Sequence, residues 1–231
     1  MTEDILKNIE HVRQRIAQAA VRAGRKPQEI ALVAVTKYVP AERINTAIRA
    51  GVSILGESYI QEARSKIDEV GRDSAIWHFI GHLQTNKAKY AARLFDMIES
   101  VASVRLAQEL DSEARKAKRR LAVLIQVNIG EEASKSGIPQ EELIPMAKKL
   151  SCFENISVQG LMAIPPYLDL PDQIRPYFRA LRALQRRVQE EAIPNIFMKE
   201  LSMGMSADFE TAIEEGATMV RIGTVLFGSR G

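Results

Sequence analysis

Several features that define common protein classes are scarce or missing in this sequence of 231 residues. Its single cysteine, Cys152, cannot form an internal disulfide, which favours a reducing compartment; the residue lies at a predicted helix end and is expected to fill the core. No early stretch resembles a signal peptide, and no apolar run approaches the roughly 20 residues that cross a bilayer. The net charge of +3 is too small to indicate a nucleic-acid or membrane partner. We therefore expect a cytoplasmic protein without such partners.

Familiar chemical motifs are also missing. The sequence has no GxGxxG and no Walker lysine motif, which argues against the common nucleotide-binding loops. No G-x-S-x-G nucleophile elbow is present. The histidines and acidic residues do not fall at metal-ligand spacing, so we expect no metal.

One uninterrupted apolar run stands out at residues 30–37, where seven uncharged residues precede Lys37. Such a run is typical of a strand buried on both faces in a parallel sheet, and Pro40 suits the start of a helix. The strand is expected to stop at Lys37, at the carboxyl edge where parallel α/β folds bind ligands. A lysine held against apolar walls there should have a lowered pKa and act as a nucleophile toward aldehydes. The alternative is a lysine that extends from the strand end into solvent.

Strands and helices alternate eight times, after an extra N-terminal helix with apolar residues at helical spacing from Ile5 to Ala19. This pattern predicts an α/β protein made of a single (β/α)₈ TIM barrel over residues 1–231, and an open doubly wound sheet is the alternative. The predicted strands are 30–37, 52–56, 75–80, 97–100, 121–129, 158–164, a short one that begins at 201–202, and 219–222. The predicted helices between them are 41–50, 57–70, 85–94, 104–117, 139–150, 174–188 and one that Ser206 caps.

The C-terminal part contains a candidate phosphate site. In a barrel, residues 202–206 and Gly223 with Thr224 form the loops after strands seven and eight, where this fold commonly binds phosphate. Gly204 and Gly223 allow backbone N–H groups to approach an anion, while Ser202 and Thr224 add hydroxyl donors. Alternatively, these glycines only permit tight turns.

Two further polar residues interrupt apolar strands. Arg221 is expected to point inward and to need a partner, such as Glu57 or Glu99. His78 fits either a hydrogen-bonded core histidine or a functional one. A reactive lysine, a phosphate site and an arginine together suit pyridoxal 5′-phosphate, which carries an aldehyde, a phosphate and a heteroaromatic nitrogen.

The ordered motifs closely resemble the pyridoxal-phosphate homeostasis protein family, which is similar to the barrel domain of alanine racemase. They cover nearly the whole chain: Val35-Thr-Lys, Gly56-Glu-Ser-Tyr-Ile-Gln-Glu, Trp77-His-Phe-Ile-Gly, Leu83-Gln-Thr-Asn-Lys, Ser134-Lys-Ser-Gly, Gly160-Leu-Met-Ala-Ile-Pro, residues 201–206 and Arg221-Ile-Gly-Thr-Val-Leu-Phe-Gly.

The resemblance implies roles for individual residues. Lys37 corresponds to the Schiff-base lysine and Arg221 to the partner of the pyridine nitrogen, while His78 lies near the ring. The implied phosphate ligands are Ser202, Gly223 and Thr224, with Met203 and Gly204 in the same loop. Lys135 resembles a second family lysine that is sometimes proposed as an acceptor. Two positions depart from the family pattern: Ser58 replaces an asparagine, so that any amide contact there is shortened or lost, and His82 replaces a proline.

Binding of this cofactor does not by itself imply catalysis. An arginine keeps its proton, so a pyridine nitrogen that faces Arg221 stays unprotonated and the ring is a weaker electron sink. In the racemase relatives an opposing tyrosine comes from a second domain; here Tyr38, Tyr59, Tyr167 and other residues are candidates, and spacing marks none of them. We therefore expect a monomeric, non-catalytic binder that takes part in vitamin B6 and amino-acid homeostasis, with cofactor-dependent apoenzymes as recipients.

Two alternatives remain for function. One is a slow amino-acid racemase that uses Lys37 as its base. The other is an adaptor that binds a macromolecule through the basic run at residues 115–120, although a solvated helix face is the expected role of that run.

Overall fold

Eight parallel strands close into a barrel in the computed structural model of the protein, which describes residues 2–130, 132, 136–166, 168 and 171–228. The strands are β1 (Ala31–Val35), β2 (Ile54–Glu57), β3 (Ile76–Phe79), β4 (Met97–Val101), β5 (Leu121–Gln126), β6 (Ile156–Met162), β7 (Ile196–Ser202) and β8 (Met219–Ile222). Each strand pairs with the next, and β8 pairs with β1, where Leu32 lies opposite Val220. This closure confirms the predicted (β/α)₈ barrel and excludes the open sheet.

The helices surround the barrel, and one of them precedes the first strand as predicted. They are α1 (Thr2–Arg22), α2 (Ala41–Arg49), α3 (Ile60–Val70), α4 (Ala88–Leu94), α5 (Val104–Lys116), α6 (Leu143–Leu150), α7 (Pro171–Glu190), α8 (Phe209–Glu214) and α9 (Thr224–Phe227). Short 3₁₀ turns cover Pro27–Glu29, Arg72–Ser74, Thr85–Lys87 and Gln140–Glu142. Helix α1 buries its apolar stripe (Ile5, Ile9, Val12 and Ile16) against α2, α8 and α9. Helix α1 therefore packs between α2, which follows the first strand, and α8 and α9, which lie at the C-terminal end of the described chain.

Most strand bounds differ from the predictions by a few residues, as at β1 and β7. Strand β1 ends at Val35 instead of Lys37, because the chain turns at Thr36, whose carbonyl accepts the Val39 N–H at 2.9 Å. Strand β7 begins at Ile196 and ends, rather than begins, at the predicted residues 201–202. Lys199 and Glu200 interrupt the apolar residues of this strand, so it lacks a continuous apolar run.

Two helix starts were also predicted wrongly. Helix α3 starts at Ile60 rather than at residue 57, because Glu57 still belongs to β2. Ser206 does not cap the helix after β7; Asp208 holds that position, and α8 begins at Phe209. The loop after β7 is therefore longer than predicted.

Two expectations about the surface have opposite outcomes. Cys152 is exposed, so its predicted place in the core is wrong; it lies in the turn between α6 and β6. The basic run is mostly exposed, as predicted, although Arg119 is half-buried and faces Asp96 at 3.8 Å. Within the described residues, no helix combines the length and the apolar composition that a bilayer crossing requires.

Candidate functional site

A cavity of about 510 Å³ opens at the carboxyl ends of the strands, the edge at which the sequence predicted a site. It is formed by the loops that follow β1, β6, β7 and β8. Lys37 and Tyr38 lie on one side, and Gly223 and Thr224 line it as well. Its volume falls within the range of pockets that enclose most of a small ligand.

A second cavity of about 700 Å³ adjoins the first and is formed mainly by the loops after β2 and β3. Lys37 lines both cavities, so its side chain stands at their boundary. Ser58 lines only the second cavity, together with His82 and Lys87. The half-buried Lys37 is thus the one predicted site residue that both cavities share.

A buried polar network lies inside the barrel and is centred on Glu99. The Glu99 carboxylate contacts His78 Nδ1 at 2.7 Å, and it accepts the Ser202 hydroxyl at 2.5 Å. Arg221 Nη1 donates to Ser202 Oγ at 2.6 Å and lies 4.0 Å from Glu99, and Arg221 Nη2 donates to the Ala163 carbonyl at 2.9 Å. Because these side chains come from β3, β4, β7 and β8, they meet in the barrel interior. Of the two partners predicted for Arg221, Glu99 is confirmed.

The charges of this network are mutually dependent. Burial opposes ionisation of Glu99, but the His78 hydrogen bond, the charges of His78 and Arg221 and the Ser202 hydroxyl together hold its pKa below the usual value. Burial lowers the pKa of Arg221, while Glu99 and Asp208 oppose that effect. Since an arginine stays protonated in proteins, Arg221 presents a fixed positive charge to the cavity that it also lines.

The side of the first cavity formed by the loops after β7 and β8 is suited to an anion. Gly223 precedes α9, and the first N–H groups of a helix have no partner within that helix. A Cβ at Gly223 would lie 3.2 Å from Val35 Cβ, so only glycine leaves the full space here. Arg43 lines the same cavity; its Nη2 donates to the Phe227 carbonyl at 2.5 Å, and its buried Nε has no acceptor among the described residues.

An acidic group also borders this cavity. Asp208 accepts the Met205 N–H at 2.6 Å, and burial raises its pKa, against the opposing effects of that hydrogen bond and of Arg221. The Asp208 carboxylate and the Arg221 guanidinium interact electrostatically, so Asp208 partly offsets the positive charge of Arg221 at the cavity.

The structure separates the predicted site residues into three groups. Lys37, Arg221, Gly223 and Thr224 line the first cavity, and Ser58 lines the second. The remaining four lie below the cavities and line neither of them: His78, Ser202, Met203 and Gly204.

Two of these buried residues have clear structural tasks. The Ser202 hydroxyl is engaged by both Glu99 and Arg221, and in the loop after β7 it is Ser206 that lines the cavity. Gly204 has a φ of +92°, and a Cβ there would lie 2.5 Å from Ala212 Cβ. Gly204 is therefore required for the turn. Their predicted roles as phosphate contacts remain predictions.

Other residues were missed or fall outside the described part. Arg43 and Asp208 gave no sequence signal, because only the packing of α2 and of the β7 loop brings them to the cavity. Lys135 and Tyr167 lie outside the described residues. Tyr38 and Tyr59 are exposed, with ring centroids 5.7 Å apart.

The chain matches the sequence profile described as "Alanine racemase, N-terminal domain" over residues 5–231. It is 43% identical to the pyridoxal phosphate homeostasis protein of Aquifex aeolicus (strain VF5), over 97% of each chain. It is 42% identical to the protein of the same name from Escherichia coli (strain K12), over 98% of this chain and 97% of that protein.

Solved structures agree with these matches. PipY of Synechococcus elongatus PCC7942, determined with PLP bound, is 36% identical, with a TM-score of 0.82, and the match covers 92% of this chain and 100% of PipY. Alanine racemase from Corynebacterium glutamicum, at 16% identity and a TM-score of 0.74, shares the fold; the match covers 99% of this chain and 62% of the racemase. The chain therefore belongs to the pyridoxal phosphate homeostasis protein family, as the resemblance in its motifs predicted.

Proposed function

We propose that this protein binds pyridoxal 5′-phosphate in the first cavity, attached covalently to Lys37, and contributes to the intracellular balance of the cofactor and of amino acids without catalytic turnover. The observation that carries the proposal is that Lys37, Arg221, Gly223 and Thr224, which are far apart in sequence, line one cavity. The names of the relatives and the PLP bound to PipY support the same assignment.

The residues present fit the three functional groups of this cofactor. The neutral Lys37 amine would condense with the aldehyde: a C=N bond replaces the C=O bond, and the aldehyde oxygen leaves as water with the two amine protons. The position of Lys37 at the boundary between the two cavities gives the amine access from both. Gly223, Thr224, Ser206 and the Arg43 guanidinium would hold the phosphate. The Arg43 Nε, which has no acceptor among the described residues, is consistent with a bound anion nearby.

Arg221 would face the pyridine nitrogen and keep it unprotonated. The residue is suited to this task because Ser202 and the Ala163 carbonyl fix its orientation, while Glu99 stabilises its charge in the buried interior. When bound, the cofactor supplies an electron-withdrawing ring whose strength depends on protonation of that nitrogen. A permanently cationic neighbour reduces that strength, which supports a carrier rather than an enzyme.

A test of the covalent bond requires only the purified protein and the cofactor. The wild-type protein should develop a visible absorbance band, borohydride should fix the adduct, and peptide mapping should locate it on Lys37. The Lys37→Ala variant should lose the band, whereas Lys89→Ala, a change at an exposed lysine of α4, should retain it. An adduct on another lysine, or no band with added cofactor, would contradict the proposal.

A slow amino-acid racemase is the second candidate, and the position of Tyr38 at the first cavity is the observation that favours it. Racemisation needs a base on each face of the substrate Cα, and Tyr38 directly follows Lys37 in the chain. Deuterium exchange at the Cα of D- and L-alanine, compared with free cofactor, separates the two functions. Exchange above the free-cofactor rate that Tyr38→Phe abolishes would establish the racemase.

The physiological role has a separate test. If the protein supplies cofactor to apoenzymes, a loaded sample should restore activity to an apoenzyme faster than its spontaneous release rate allows. Restoration at the release rate would indicate a reservoir that does not hand its cofactor on directly.

A further inference from the structure

The backbone directly after Lys37 has an unusual conformation. Tyr38 has a φ of +62°, a left-handed value that is unfavourable for a residue with a Cβ and is maintained only where surrounding contacts enforce it. Tyr38 directly follows Lys37, so this conformation is part of the turn that carries the lysine. The contacts that enforce it therefore bear on the orientation of the reactive amine.

Those contacts come from three charged residues, Glu57, Glu62 and Lys66, which we call the Lys66 cluster. Lys66 Nζ lies 2.8 Å from Glu57 Oε1 and 2.6 Å from Glu62 Oε1. Glu57 is the last residue of β2, whereas Glu62 and Lys66 are four residues apart on one face of α3. The cluster thus joins the barrel to its surrounding helix layer.

Each member of the cluster holds a group next to Lys37. The Lys66 ammonium donates to the Thr36 carbonyl, and Glu57 Oε1 accepts the Thr36 hydroxyl at 2.6 Å. Glu62 Oε1 accepts the Tyr38 N–H. Both neighbours of Lys37 are therefore bound to the same set of charges.

Burial of Glu57 and Lys66 protects their contacts with Thr36 from competition by water, whereas the contact between Glu62 and Tyr38 is exposed. Glu57 is fully buried and Lys66 is 7% exposed. Burial raises the pKa of Glu57, although the hydrogen bonds from Lys66 and Thr36 oppose the shift. None of the three residues lines either cavity, so their effect on a ligand there is indirect, and residues 36–38 are the segment that they bind next to Lys37.

We propose that the Lys66 cluster is a positioning device that fixes the Thr36–Tyr38 turn and so aims the Lys37 amine at the aldehyde of the ligand. Glu57, Glu62 and Lys66 are positioning residues and do not touch the ligand. This inference rests on the proposed function, because it assigns the cluster to the same covalent step.

The test compares Lys66→Met with Lys116→Met, which breaks a lysine–glutamate pair of 2.5 Å on the exposed face of α5. The rate of adduct formation with pyridoxal 5′-phosphate should fall about tenfold or more in Lys66→Met, because a small misplacement of a reacting group has effects of that order. It should be unchanged in Lys116→Met. Lys66→Arg should restore part of the rate, since it keeps the charge. An unchanged rate in Lys66→Met would overturn the proposal, whatever its stability.

A second measurement needs no cofactor. The Tyr38 amide should exchange slowly with deuterated solvent in the wild-type protein and faster in Glu62→Ala, whose side chain is partly exposed and whose loss the fold should tolerate. If Lys66→Met does not fold, the rate of adduct formation is measured in Glu62→Ala instead. A rate in Glu62→Ala equal to that of the wild-type protein would likewise overturn the proposal. If the wild-type protein forms no adduct, the proposed function fails, and with it the step that the cluster serves. Faster Tyr38 exchange would then show only that the cluster stabilises the turn.

Discussion

Removal of the Glu99 carboxylate should severely destabilise the barrel. In Glu99→Ala, the buried Arg221 guanidinium loses its anionic neighbour at 4.0 Å, and His78 and Ser202 lose acceptors at 2.7 and 2.5 Å. An uncompensated buried charge costs about 3–5 kcal/mol, and the lost hydrogen bonds overlap with that figure rather than adding to it. We therefore expect the free energy of unfolding to fall by about 3–5 kcal/mol, a large part of the 5–15 kcal/mol typical of a domain.

Urea denaturation at neutral pH measures this loss. Glu113→Ala is a matched control, because Glu113 is also largely buried but pairs with the exposed Lys116, and such a pair contributes less than about 1 kcal/mol. Glu99→Gln keeps the shape and an acceptor while removing the charge, so roughly half of the loss is expected. A loss below about 1 kcal/mol in Glu99→Ala would refute the reasoning, because it would mean that Arg221 is not dependent on Glu99.

Other perturbations test separate parts of the structure. The free energy of unfolding should also depend on pH. The pKa of Glu99 in the folded protein lies below its ordinary value of 4.5, so the ionised carboxylate stabilises the fold above pH 4.5, and this stabilisation is lost as the pH falls through the folded-state pKa. The advantage of wild type over Glu99→Gln should shrink below about pH 4.5, and a constant difference in unfolding free energy would contradict this. Arg43→Met should weaken equilibrium binding of the phosphorylated aldehyde about tenfold while hardly affecting pyridoxal; equal losses for both ligands in a spectroscopic titration would argue against a phosphate contact. Gly160→Ala should prevent folding, since its Cβ would lie 1.9 Å from the Glu200 carbonyl oxygen. Gly24→Ala has open space around its Cβ but a φ of +66°, so it should lower the free energy of unfolding by only about 1 kcal/mol. Similar melting temperatures for the two variants would be inconsistent with this difference. The exposed Cys152 should react with a thiol reagent in the native protein nearly as fast as in urea, and slow labelling would show that it is protected.

The fold was largely predictable because most strands are short, mainly apolar segments that alternate with helices. Strand β8 was predicted with its bounds correct, and β4 was short by one residue. Strand β7 was mostly missed, since Lys199 and Glu200 interrupt its apolar residues. The boundary errors at β1 and α8 have a different origin. There the chain direction depends on tertiary contacts, such as the one between Glu62 and Tyr38, that local sequence does not reveal.

The candidate site was predictable where a residue type is chemically unusual for its place. A lysine at the end of an apolar run and an arginine within one are such signals, and the structure places both Lys37 and Arg221 at the cavity. Arg43 and Lys66 are ordinary helix residues in the sequence. Their positions matter only because α2 and α3 pack against particular strand ends, which requires the three-dimensional arrangement.

The position of α1 has a consequence for how the molecule is made. Asn8 Nδ2 donates to the carbonyl of Leu226 at 3.1 Å, so two segments 218 residues apart must meet before either is fully packed. Contacts between such distant segments slow folding, because a long loop has to be ordered first. During synthesis, the part of the apolar stripe of α1 that packs against α8 and α9 must remain uncovered until those helices have left the ribosome. This interval is the one in which the nascent chain most needs protection from aggregation.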